Sequence, residues 1–263
     1  MPEQIRFHRF PVMGIEAMSA STSHVFPRHT HDRYGIGVVD AGGHASLSDR
    51  GQVEAGPGGL ICVNPGEVHD GRPSGGVSRS WRIVYLEPTL MRGRCREVSE
   101  GRSATLYFAA PVFADETLRA LFNQTFVSTE SMACESGLLM IVARMRARWT
   151  VDRAPSRTTG CIRRARERID SNPAEPHTLS DLANEGGLSR YQLLRSFARE
   201  LRLTPHAYLL QQRIALAHRL IRQGGRPQAE IAIASGFFDQ SHFSRCFARQ
   251  FGVSPRRYAA QRA

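Results

Sequence analysis

The chain has 263 residues, 41% hydrophobic and 22% charged, with a formal net charge of +11. That is enough for two modest domains of ordinary globular composition, and no run of about 18 uninterrupted apolar residues exists to span a membrane. The five cysteines, Cys62, Cys95, Cys134, Cys161 and Cys246, are odd in number and never spaced C-x-x-C, which argues against a disulfide framework or a zinc ribbon and fits a reducing cytoplasm.

The opening "MPEQIRFHRF" lacks the apolar core and small-residue cleavage site of a secretory signal, so a cytoplasmic location is expected. The next hundred-odd residues read as a small antiparallel sheet or barrel. "YGIGVVDAGG", "GGLICVNPGE" and "WRIVYLEP" are short β-branched or aromatic runs bounded by Gly, Pro, Asn and Asp. Within them, "FPRHTHDRYGIG" sets His29 and His31 two apart, on one face of an extended chain. "GLICVNPGEVHDG" ends a strand at Pro65-Gly66 and continues to Glu67 and His69. Three histidines and a glutamate suit a divalent metal; a polar wall for a small molecule is the other reading of His29, His31 and His69. Trp81 and Tyr85 share one face of a strand and supply either an aromatic wall or ordinary core.

Helical spacing follows in "DETLRALFNQTFVSTE" and "ESGLLMIVARMRARW". Taken alone, the amphipathic stretch from Asp115 to Trp149 means domain packing; beside a helical DNA reader it is a candidate dimer seam. "TVDRAPSRTTG", Thr150 to Gly160, has turn residues without apolar periodicity and reads as a linker. Beyond it the pattern is helical, and the charge changes. Residues 156–263 hold 18 Arg against 8 acids, whereas the preceding part is nearly neutral. A basic half joined to a neutral half suggests that one part meets a polyanion. The chain has no lysine, so its side-chain cations, histidine aside, are guanidinium forks able to grip phosphate or guanine bidentately.

The basic half repeats itself. "GGLSRYQLLRSFARELRLTPHAY" matches "SGFFDQSHFSRCFARQFGVSPRRY" at an offset of 50 from Arg195/Arg245 through Tyr208/Tyr258, but at 49 from Ala183/Ala232 through Leu188/Phe237. The slip falls just after a glycine, where a turn absorbs an insertion. Each copy parses as helix, glycine turn and second helix, with Ser189 and Asp239 as N-caps. Leu193, Leu194, Phe197 and Leu201 are the apolar positions of one second helix, and Phe243, Phe247 and Phe251 those of the other. Arg, Gln and Ser occupy the fronts, as a major-groove reader requires. The bland alternative is a helical repeat built for packing, with solvated arginines. The striped "AYLLQQRIALAHRLI" between the copies is long enough to hold two readers about 34 Å apart, one turn of B-DNA.

These residues resemble the DNA-binding domain of AraC-type (AraC/XylS) regulators over roughly Cys161 to Tyr258. The second copy carries the pattern I-A-x-x-x-G-F-x-x-x-S-x-F-x-R-x-F-x-x-x-F-G-x-S-P-x-x-Y at every stated position. The resemblance implies seven helices with two helix-turn-helix units. It assigns base contact to Arg190, Tyr191, Leu194 and Arg195, and to Gln240, Ser241, Ser244 and Arg245, with Leu194 suited only to a thymine methyl. The opening residues resemble the cupin barrel that precedes such a domain, with His29, His31, His69, Trp81 and Tyr85 facing a small effector and the following helices pairing two chains. Catalytic cupins depart from this pattern: their glutamate position after His31 is Gly35 or Ile36 here, and the second motif is one residue short.

The expected architecture is two-domain α+β. A cupin-like β-barrel with trailing helices fills 1–150, a linker 151–160, and an all-α domain 161–263 with helix-turn-helix units at 179–201 and 228–251. The expected function is ligand-responsive, sequence-specific transcription regulation, more an activator's than a repressor's. Its partners would be double-stranded DNA, a small effector, RNA polymerase and a second copy of the chain, without a membrane. No catalytic residue or cofactor is assigned, and the metal candidates are His29, His31, Glu67 and His69. The competing reading is a metal-dependent cupin enzyme with an accessory DNA-binding tail.

Overall fold

The computed structural model describes residues 4–48, 51–76, 78–101, 106–151 and 159–262. The chain divides into two compact units, Met1–Ala154 and Pro155–Gln261. Most of the sequence-predicted linker, residues 152–158, lies outside the described residues.

The first unit is built on two antiparallel sheets. The strands are β1 (Gln4–His8), β2 (Ile15–Thr22), β3 (Phe26–His29), β4 (Tyr34–Ala41), β5 (Gly43–Ser48), β6 (Gly51–Ala55), β7 (Leu60–Val63), β8 (His69–Ser74) and β9 (Arg79–Leu86). Helix α1 (Pro88–Val98) follows, then the short strands β10 (Tyr107–Phe108) and β11 (Val112–Phe113). One sheet runs β1-β2-β9-β4-β7-β11 and the other β3-β8-β5-β6. Strand β9 lies between β2 and β4, paired from Ile15↔Leu86 to Thr22↔Arg79 on one side and from Tyr34↔Leu86 on the other.

Because side chains alternate across a strand, β9 serves two environments. Val84 and Leu86 join Ile36, Val38, Leu60 and Cys62 in a core closed by helices α2 (Glu116–Val127) and α3 (Ser131–Arg148) through Leu118, Phe122, Leu138, Ile141 and Met145. The alternate set, Arg79, Trp81, Ile83 and Tyr85, faces the other way. There Trp81 meets Phe26 of β3 at 5.8 Å and His44 of β5 at 5.7 Å between ring centroids. This face is the barrel interior.

Asp115 fastens the two covering helices. Its carboxylate caps α2 by accepting from the Leu118 amide at 3.0 Å. It also accepts from Arg144 at 2.9 and 3.1 Å and from the Trp149 indole at 2.9 Å. Strand β12 (Thr150–Val151) then pairs with β10, so the start of the sequence-predicted linker is a strand of the first unit. Helix α1 has no counterpart among the sequence-predicted elements. It buries only Met91 and Cys95 and contains Gly93, so it shows little apolar periodicity.

The second unit is helical: α4 (Gly160–Ser171), α5 (Leu179–Gly186), α6 (Arg190–Leu201), α7 (Pro205–Gln223), α8 (Gln228–Ala234), α9 (Gln240–Phe251) and α10 (Pro255–Arg262). The repetition in sequence is repetition in hydrogen bonding. Leu188 donates to the Ala183 carbonyl at 2.9 Å, and Phe237 to that of Ala232 at 3.0 Å, closing equivalent turns. Thr204 and Ser254 cap α7 and α10, whose first residues are Pro205 and Pro255, the position where a missing N–H is harmless. Tyr208 and Tyr258 are both buried, but their hydroxyls part company: Tyr208 donates to Asp170 of α4 at 2.6 Å, while Tyr258 pairs with His218 of α7 at 2.8 Å.

Candidate functional site

Among the described residues, two places have chemistry that the fold itself does not consume. The first is the pair of helices that follow the two glycine turns. On α6, Leu193 and Phe197 are buried, whereas Arg190, Tyr191, Leu194 and Arg195 are all exposed. A capping box holds its start: the Ser189 hydroxyl accepts from the Gln192 amide at 3.2 Å, and the Gln192 side chain accepts from the Ser189 amide at 2.9 Å. The Arg195 guanidinium lies over the Tyr191 ring at 5.6 Å, so these two sequence-predicted reader residues present one composite surface.

On α9, Phe243 and Phe247 are buried, Gln240, Ser241 and Arg245 are exposed, and Ser244 is half-buried. Asp239 caps this helix, accepting from the His242 amide at 2.6 Å. All eight sequence-predicted reader positions therefore lie on the two helix faces turned away from the core. The one-residue slip between the copies resolves to Phe238. Three residues, Gly187 to Ser189, lead into α6, but four, Gly236 to Asp239, lead into α9, and Phe238 stands 91% exposed.

The second place is the barrel interior. His29 ends β3, His31 follows it, and His69 opens β8. Candidate donor atoms on these three rings all lie within 4.8 Å of one another. Tyr85 joins them, its ring 5.3 Å from that of His31. Burial pushes the His31 imidazole down to about 3, helped by the nearby charges of His29 and Arg33 and only weakly opposed by backbone contacts. Burial likewise lowers His29 and His69 and raises the Tyr85 phenol. All three imidazoles are thus held neutral near pH 7.

Glu67 does not belong to this group, contrary to the set drawn from sequence. Its carboxylate is buried and accepts from the Asn64 amide at 3.1 Å and the Asn64 side chain at 3.0 Å. Asn64 in turn bonds the backbone of Phe108 at 2.8 and 3.3 Å. Glu67 is therefore a brace for the Pro65-Gly66 turn. Trp81 shares the inward phase of Tyr85 but packs among Phe26, His44 and Arg79, with the Arg79 guanidinium 4.5 Å from its ring centroid.

Sequence reasoning missed the charged groups inside the barrel. Arg79 is buried, donating to His44 Nδ1 at 3.0 Å and to the His24 carbonyl at 3.2 Å, and burial lowers it to about 10. Glu16 of β2 is buried and accepts from Arg33 at 2.9 Å. The alternation that singled out Trp81 and Tyr85 also includes Arg79, and that was the available signal.

The comparisons with known proteins fall on the same two places. Residues 12–140 match the profile of an AraC-like ligand binding domain, and residues 182–261 that of a helix-turn-helix domain. An uncharacterized HTH-type transcriptional regulator, YbfI of Bacillus subtilis, is 30% identical over 224 residues, covering 82% of this chain and 81% of the relative. The HTH-type transcriptional activator RhaS of Escherichia fergusonii is 35% identical over 88 residues, 34% of this chain and 32% of its own. Among solved structures, wild-type ToxT of Vibrio cholerae with a bound unsaturated fatty acid superposes with a TM-score of 0.66 at 11% identity, covering 96% of this chain and 97% of that one. That last likeness is one of fold.

Proposed function

The chain belongs to the AraC family of transcription regulators, and on that premise we propose that it is an effector-responsive activator reading two successive major grooves. The observation that carries this reading is the paired design of α6 and α9. Each is a capped helix with a buried Leu/Phe or Phe/Phe back and an exposed Arg-bearing front. Arg190, Tyr191, Leu194 and Arg195 read one groove; Gln240, Ser241, Ser244 and Arg245 read the next. The 19 residues of α7 span about 28 Å, which approaches the helical repeat of B-DNA.

The barrel takes a small effector against His29, His31, His69 and Tyr85. An effector changes DNA affinity only through its differential affinity for the competent and incompetent arrangements. Two copies pair through α3, where Met132 and Met140, two turns apart, are 80% and 57% exposed. Pairing doubles the reading heads and sharpens selectivity by avidity. As an activator in the cytoplasm, the protein would engage RNA polymerase. Its relatives are regulators rather than enzymes, which supports a non-catalytic barrel.

The test is selection of bound sequences from a random duplex library with the full-length protein at physiological salt. Two enriched blocks about one helical turn apart are expected. A single block would assign one helix-turn-helix unit to scaffolding, and the absence of enrichment would overturn the reading.

A further inference from the structure

DNA reading does not account for the three imidazoles that meet inside the barrel. Two of them have their tautomers set by the backbone. His29 Nδ1 lies 2.8 Å from the Pro27 carbonyl oxygen and His69 Nδ1 lies 3.1 Å from that of Glu67. A carbonyl only accepts, so in each neutral ring Nδ1 carries the proton and Nε2 is left with its lone pair. A backbone carbonyl on the far nitrogen is the outer-shell arrangement that orients a metal-binding histidine. The third ring, His31, has both nitrogens buried with only weak contacts to the backbone of Arg33 and of its own residue, and neither nitrogen makes a hydrogen bond of ordinary geometry. Buried polar atoms in native proteins are almost always satisfied, and one that is not points to a missing partner. A packed histidine cluster held together for its own sake would pair donors with acceptors; here His29 and His69 are each left with an acceptor nitrogen only.

We propose that His29, His31 and His69 hold one divalent transition-metal ion through their imidazole nitrogens, and that its remaining coordination positions take anionic oxygen atoms of the effector. Imidazole donors suit zinc, iron, cobalt, nickel and copper. Bonds of about 2.1 Å place tetrahedral donors about 3.4 Å apart, so closure from separations of up to 4.8 Å draws the rings inward by about 1 Å. With Glu67 committed to the Asn64 turn, three neutral ligands leave the ion its full charge and at least one open position. Arg79 makes the same demand from the same inward face of β9: its Nη2 is buried without a partner. A cation with an open position and an under-paired guanidinium both select an oxyanion. The second half of the proposal rests on the reading of the barrel as an effector domain; the metal site does not.

The experiment uses full-length protein stripped with chelator and titrated with Co²⁺. One equivalent is expected, with ligand-field bands and no thiolate charge transfer. His31→Ala and His69→Gln should each weaken binding by more than about 100-fold, the upper end of outer-shell effects, while His44→Ala, a barrel histidine outside the triad, retains it. Should the triad variants fail to fold, the wild-type cobalt protein decides by its hyperfine-shifted imidazole N–H signals. No stoichiometric binding, binding that survives loss of the triad, or thiolate bands would overturn the site. Oxalate, added as a bidentate oxyanion probe, should shift the cobalt bands; unchanged bands would overturn the effector half. Library selection is run in parallel on stripped protein with and without Co²⁺. DNA enrichment without metal binding rejects the metal site alone, and metal binding without enrichment in either arm rejects the regulator reading alone.

Discussion

Asp115 gathers four hydrogen bonds on one carboxylate, from an amide, a guanidinium and an indole. Burial by itself would raise its pKa, but the bonds from Arg144, Trp149 and Leu118 outweigh that and hold it at about 2. The folded value lies below the ordinary 3.8, so the stabilisation is complete above about pH 4 and lost as pH falls through 2. Asp115→Ala removes a helix cap and a charged pair together, and should destabilise the first unit by about 2–3 kcal/mol. Denaturant unfolding followed by tryptophan fluorescence measures this cleanly, because both tryptophans, Trp81 and Trp149, lie in that unit. At the reader helices, Arg195→Ala and Arg245→Ala should each weaken binding to the selected site by about 1–3 kcal/mol and relax base preference there. Equilibrium binding that matched wild type would remove either residue from the reading set. Leu194 offers less: it is 38% exposed and has nothing but apolar surface to present.

At the scale of elements, the repeated copies show what local sequence reveals. A helix, a glycine turn and a capped helix are specified by neighbours within one or two turns, so their spacing is legible without any knowledge of the fold. The barrel interior is different. Glu16 meets Arg33, and Arg79 meets His44, only because strand register brings distant segments together. No local spacing announces such pairs. Helix α1 was illegible for another reason, its lack of an apolar stripe. The two turn glycines, equivalent in sequence, also differ in their surroundings. Gly187 has φ +65° with open space where a Cβ would go. Gly236 has φ +82°, and a Cβ there would come 2.6 Å from the Ala174 carbonyl oxygen. Arg213 of α7 clamps that neighbouring segment through the carbonyls of Pro173 and Glu175 at 2.9 and 3.1 Å. Gly187→Ala should therefore cost about 1 kcal/mol, and Gly236→Ala about 3 kcal/mol or more. Circular dichroism melts of the two variants provide the comparison; equal losses would mean that the contact with Ala174 does not constrain the second turn.

Across the whole molecule, the two-domain α+β class was readable in the sequence from a change of periodicity near residue 150 and a change of charge at nearly the same place, whereas the regulator family rested on the resemblance carried by the motif from Ile231 to Tyr258. The excess of positive charge in residues 156–263 makes DNA affinity a function of salt. Plots of log affinity against log salt should be linear, and each arginine that touches only phosphate should reduce the slope by about 1 when replaced by alanine. An unchanged slope would place that side chain off the phosphate backbone.

The position of β9 has a consequence for how the chain is made. A ribosome releasing β1 to β8 has not yet produced the strand at the middle of the larger sheet, so β2 and β4 each wait with an open edge until Leu86 emerges. Open edges recruit other chains. The helical unit, synthesised after the first, closes mostly through near-neighbour contacts and folds quickly. Chaperone crosslinking to stalled nascent chains should accordingly peak for chains exposed to just before Arg79 and fall once Leu86 is clear. The dangerous moment for this protein comes before β9 has left the ribosome.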